Sequence, residues 1–154
     1  MWRMNELYTL GEILGFSRTL PKEESKLIRS KLIAKYCDTS TDYYQQYYRG
    51  TLGYLLWDCI NRDSISITTY HIKYDPPFKK NEYVYLFWDF YDDDNPLWGA
   101  GREYIFEIKF ELFVEHLNSF PKDTYIFNKD MSRLLVRSHE GDFVDQDALL
   151  LYCE

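Results

Sequence analysis

The residues best suited to chemistry lie together in Trp88-Asp89-Phe90-Tyr91-Asp92-Asp93-Asp94-Asn95-Pro96-Leu97-Trp98, which joins four carboxylates to four aromatic rings. Carboxylates at this density can hold a cation, trade a proton, or pair with the Lys and Arg of a partner. The Asp-Asp-Asp-Asn stretch looks like part of a calcium loop. It lacks the glycine and the terminal glutamate at EF-hand spacing, so no metal and no cofactor are expected. Partner binding is the sharper expectation. Asp89, Asp92, Asp93 and Asp94 would steer and pair with a basic surface, and Tyr91 and Trp98 would supply anchoring area. The plain alternative is a solvated loop, because Asp, Asn and Pro are good turn residues. A second acidic stretch follows Arg137, after which the chain has no Lys or Arg. Glu140, Asp142 and Asp145 are the binding candidates there. Phe143, Val144 and Leu149–Tyr152 are interleaved with them, so this stretch is expected to pack.

Nucleophilic and metal chemistry find less support. The chain has no G-x-G-x-x-G, P-loop, H-E-x-x-H or G-x-S-x-G. Gly99-Ala100-Gly101 lacks the third glycine of a dinucleotide fingerprint and reads as a turn. The histidines are His71, His116 and His139. His139-Glu140 is the best acid–base pair on offer. A small enzyme or ligand-binding domain with an aromatic pocket, using His139 and Glu140 or His71, is therefore the alternative function. Asp42-Tyr43-Tyr44-Gln45-Gln46-Tyr47-Tyr48-Arg49 offers aromatics for base stacking. The chain has no basic stripe that would hold phosphates. A helix that buries half of these tyrosines and exposes the rest is the expectation. Cys37, Cys59 and Cys153 are too few and too scattered for a disulfide framework or zinc, and fit a reducing compartment.

The wider chain sets the limits. Its 154 residues are 45% hydrophobic and 28% charged, which suits one domain with a core and excludes disorder. No apolar run approaches the roughly 18 residues of a membrane span. No secretory signal opens the chain, so a cytoplasmic location is expected. The net charge of -7 argues against nucleic acid and anionic membranes as partners. That charge is uneven: residues 1–80 hold 12 Lys and Arg against 9 Asp and Glu, a balance of +3, and the remainder carries −10.

The elements that must position these residues change period along the chain. Residues 1–62 read mostly helical. Asn5–Leu14 is one amphipathic segment closed by Gly15. A second starts near Thr19 and Pro21 with a stripe through Leu27, Ile28, Leu32 and Ile33 to Tyr36. A third is capped by Thr41 or Asp42, with Tyr44, Tyr47, Tyr48, Leu52, Leu55 and Leu56 inward, and is weakened by Gly50 and Gly53. Residues 63–154 read mostly as strands with one helix near 111–119. Alternation at Ile65 and Ile67 shifts phase by Tyr70, which a bulge at Thr68-Thr69 would reconcile. Glu82–Tyr91 is apolar almost throughout, as in a central strand covered on both faces. Tyr104–Phe110, Thr124–Phe127 and Leu134–Val136 are further strands, and Ala148–Tyr152 is a last strand or an ordered tail. The class is α+β in a single domain, with the N-terminal helices packed on one face of a mainly antiparallel sheet.

One segment also carries a resemblance. A helix from Phe110 leads into Phe120-Pro121-Lys122-Asp123-Thr124-Tyr125-Ile126-Phe127-Asn128, then Leu134-Leu135-Val136-Arg137-Ser138-His139-Glu140. This resembles the small immunity proteins of bacterial contact-dependent inhibition and polymorphic-toxin systems. There a "P-x-D-x-Y-x-F" strand, an Asp/Asn turn and a strand ending near His-Glu follow a helix. The chain departs from the pattern at Arg133, where Trp is common, and at Ser138, where Thr is. The resemblance implies a cytoplasmic, non-enzymatic protein that neutralises a cognate toxin domain by binding it. A basic nuclease is the expected toxin, because its phosphate-binding cleft suits a carboxylate-rich surface. A homodimer through exposed aromatics is a further possibility.

Overall fold

A computed structural model describes residues 4–51, 53–71, 77–89, 96–121, 123–137 and 147–152. The elements in chain order are α1 (Met4–Leu14), β1 (Arg18–Thr19), α2 (Lys22–Tyr36), α3 (Asp42–Tyr48), β2 (Ser66–His71), β3 (Tyr83–Trp88), β4 (Phe106–Lys109), α4 (Phe110–Glu115), β5 (Thr124–Phe127), β6 (Arg133–Arg137) and β7 (Asp147–Tyr152). Short 3-10 segments cover Leu56–Cys59, Pro96–Arg102 and Leu117–Ser119. The strands form one seven-stranded sheet in the order β1-β4-β3-β5-β6-β7-β2, every neighbour antiparallel. The α+β class is as the sequence indicates. Among the described residues no helix is long and apolar enough to cross a membrane.

The expectation that helices cover one face is corrected. Alternate residues of the central strands feed two separate cores. Val84, Leu86 and Trp88 of β3, with Phe106, Ile108 and Ile126, pack against Leu7, Leu10 and Leu14 of α1 and Phe110 and Phe113 of α4. Tyr85 and Phe87, with Tyr125, Phe127, Leu134 and Val136, pack against Leu32, Ile33 and Tyr36 of α2 and Tyr47 of α3. A strand apolar at every position requires cover on both sides, and the helices divide to provide it.

Local signals account for most boundaries. Gly15 ends α1 at φ +82°, a conformation that costs glycine little. Thr41 caps α3 by accepting from the Tyr44 N–H at 3.1 Å. That helix stops at Tyr48 rather than running on to Leu56, because Gly50 and Gly53 both take positive φ. Thr19 is not a cap: it pairs with Phe106 in β1, and Pro21 stands at the start of α2. Leu27 of the expected stripe is 57% exposed. The inward face of α2 runs instead through Ser25, Leu32, Ile33 and Tyr36. The β2–β7 register is continuous from Ser66↔Tyr152 to His71↔Asp147, so no bulge interrupts it at Thr68-Thr69. β7 makes Ala148–Tyr152 a strand, not a tail.

Candidate functional site

Asp89 follows β3 directly, and its fate corrects the expectation that it meets a partner. It is 3% exposed. Its carboxylate accepts from the Tyr47 hydroxyl at 2.9 Å, the Leu56 N–H at 2.9 Å and the Tyr125 hydroxyl at 2.8 Å. Tyr125 in turn accepts from the Trp57 N–H at 2.8 Å. The Arg102 guanidinium lies 3.9 Å from Oδ1, the oxygen that also accepts from Tyr47. A carboxylate offers about four lone-pair directions, and three of them accept hydrogen bonds here. Burial pushes the Asp89 carboxyl above its ordinary value, against the pull of Arg102 and the hydrogen bonds. Burial and the adjacent Asp89 charge push the Tyr47 and Tyr125 hydroxyls up as well. The cluster thus stays as neutral phenols around one carboxylate, with its donors aimed inward.

The cations belong to the same assembly. Arg29 leaves α2 on the inward face and sets its guanidinium 4.4 Å from the centre of the Phe87 ring. It donates to the backbone carbonyls of Gly101 and Arg102. Arg102 lies 4.7 Å over the Tyr47 ring and donates to the Tyr47 carbonyl at 3.4 Å. Gly101 has to be glycine for a steric reason: a Cβ there would stand 2.4 Å from the Trp88 indole. The 3-10 segment Pro96–Arg102 is therefore fastened to β3 and α2 at its C-terminal end.

Above this layer two clefts adjoin. One, of about 250 Å³, is lined by Lys26, Arg29, Arg102, Tyr44, Tyr47 and Tyr48, with Ser30, Ile33 and Gly50. Among the described residues its wall has three cations and no carboxylate. The other, of about 290 Å³, shares Lys26, Arg29 and Arg102 and adds Lys22, Glu23, Ser25 and Glu103. Glu103 accepts an ion pair from Lys22 at 3.6 Å, and its second oxygen has no hydrogen-bond partner.

A second buried carboxylate, Glu107 of β4, lies opposite Tyr85 in the sheet. It accepts from Ser17 at 2.9 Å and pairs with Lys129 at 3.0 Å and Arg18 at 3.4 Å. Burial raises its carboxyl, but the hydrogen bonds and charges of Lys129, Ser17 and Arg18 outweigh this and hold it below the ordinary value.

Of the other residues singled out by sequence, Tyr91, Asp92, Asp93, Asp94, His139, Glu140, Asp142 and Asp145 lie outside the described residues. Trp98 belongs to the 3-10 segment and His71 ends β2. Cys37 and Cys59 are buried free thiols, and burial pushes the Cys59 thiol up to about 12. No group of three or more His, Cys, Asp or Glu suited to a metal occurs among the described residues. Sequence reasoning missed Arg29 and Arg102. Arg29 had a readable signal, since it falls four residues after Ser25 and three before Leu32, on the buried face of α2. Arg102 had none, because its partners come from residues 47 and 89. Comparison with known protein families, curated proteins and solved structures finds no match for this chain.

Proposed function

We propose that the protein is an immunity protein, which binds and neutralises a cognate bacterial toxin domain in the cytoplasm without catalysing a reaction. The toxin class that fits the charge is a basic nuclease. The observation that carries the reading is the anchoring on either side of the acidic run. On its N-terminal side, Asp89 is held by Tyr47, Leu56 and Tyr125, and its N–H donates to the Asp123 carbonyl at 3.1 Å. On its C-terminal side, Gly101 and Arg102 are held by Trp88, Arg29 and Asp89. In the sequence, Asp92, Asp93 and Asp94 fall between these two anchored positions. The −10 balance of residues 81–154 adds long-range attraction for a basic surface.

The reading expects a toxin gene beside this one, and the test is co-expression with the product of that gene, together with its affinity in vitro; absence of such a gene counts against the reading. Wild-type protein is expected to protect the cell. Replacing Asp92, Asp93 and Asp94 together by Lys should weaken toxin binding by at least about 100-fold, the scale for losing close charge pairs across an interface. Unchanged affinity in that variant would overturn the assignment.

A further inference from the structure

The sequence sets one cation, Arg49, beside the tyrosines of α3, and the fold brings three more to them. Lys26 and Arg29 come from α2, and Arg102 comes from the segment after β3. Together they wall the cleft that Tyr44, Tyr47 and Tyr48 also line. We propose that this cleft binds a phosphate-bearing aromatic ligand of mononucleotide size.

Three observations meet here. The first is charge. In a chain of net charge -7, the described residues of this cleft's wall include three cations and no carboxylate. The balancing carboxylates lie outside that wall: Glu23 and Glu103 line the adjoining cleft, where Glu103 pairs with Lys22 at 3.6 Å, and Asp89 faces into the core and meets Arg102 at 3.9 Å. Lys26 has no ion pair among the described residues. The guanidinium groups retain donors beyond those given to backbone carbonyls, since each carries five N–H bonds. A phosphate matches such a set.

The second is the aromatic wall. Tyr48 is 71% exposed, with its ring 6.2 Å from that of Tyr44. An exposed tyrosine face beside cations is a platform for a planar ring. The third is size. The cleft and its neighbour, about 250 and 290 Å³, are each just under the roughly 300 Å³ at which ligand sites begin, and they share Lys26, Arg29 and Arg102, so a small ligand can reach across both. Length also counts against a polynucleotide. Each further phosphate would leave the cations for the surface of an acidic protein, and polyanion binding needs many contacts.

The test uses the purified full chain in low salt, with AMP, ribose 5-phosphate and inorganic phosphate as probes in calorimetry. AMP is expected to bind saturably at one site, and about tenfold more tightly than ribose 5-phosphate, the scale of one base–aromatic stack. Tyr48→Ala should bring AMP down to the level of ribose 5-phosphate and leave that probe unchanged. Lys26→Glu should weaken all three. Both side chains are exposed, so both variants should fold, and melting temperature checks this. Absence of saturable AMP binding at millimolar concentration would overturn the proposal. So would equal affinity for AMP and ribose 5-phosphate, or an AMP affinity that Tyr48→Ala leaves intact. Toxin protection is a separate readout, so failure of either reading is distinguishable from failure of the other.

Discussion

Asp89, just past the end of β3, and Glu107 of the neighbouring β4 are both buried carboxylates, yet they are solved in opposite ways. Asp89 is held by two phenols and one backbone N–H, with a single guanidinium at 3.9 Å. Glu107 is held by a serine hydroxyl and two cations at 3.0 and 3.4 Å, whose side chains are about half exposed. Asp89 ties four distant parts of the chain to one point: α3, the 3-10 segments Leu56–Cys59 and Pro96–Arg102, and β5. Glu107 ties β1 and the Asn128–Asp130 turn to β4. The first is a core device that happens to be ionic. The second is a surface clamp that happens to be covered. The difference teaches that an acidic residue in a candidate binding run is read correctly only when its donors are known.

The comparison is most strongly tested by truncation. Asp89→Ala leaves two buried hydroxyls, a buried N–H and Arg102 without their acceptor. The loss should be about 3–5 kcal/mol, the scale for breaking a buried charged network. Denaturant unfolding measures it. A cost under about 1 kcal/mol would mean that the cluster is not the anchor described. Glu107→Gln keeps the packing and loses mainly pairs to half-exposed cations. About 1 kcal/mol or less is expected in the same assay.

The smallest effect is the sharpest discriminator, because it has opposite signs at the two sites. Glu107 has a lowered folded value, so its stabilisation is present above the ordinary value of 4.5 and is lost as pH falls through the folded one. Asp89 has a raised folded value, so the folded state binds the extra proton between 3.8 and that value, and stability falls as pH rises through this window. Stability against pH, measured for wild type, Glu107→Gln and Asp89→Asn, should show the two slopes removed separately. Matching slopes would show that both carboxylates have the same environment.

How far the sequence reached depends on how local each cause was. Helix starts and stops at Gly15 and Thr41 were legible because the cap and the residue it caps are neighbours. β3 was legible as a strand covered on both faces because apolar residues fill both parities. The division of helices between the faces was not legible. Leu27 and Arg29 sit two residues apart on α2, and hydrophobicity alone placed Leu27 inward. The structure places Arg29 inward instead, because Phe87 and the carbonyls of Gly101 and Arg102 receive it.

The candidate sites divide along the same line. Periodicity and composition are local sums, so the α+β class, the approximate strands and the uneven charge can be read from the residues in order. Only the tertiary structure decided that Asp89 is an anchor rather than a contact. Only it decided that Lys26, Arg29 and Arg102 face the tyrosines of α3. A hydrogen bond or a charge pair is set by distance in space, and residues 29, 47, 89, 102 and 125 share no spacing in the chain that would announce their meeting.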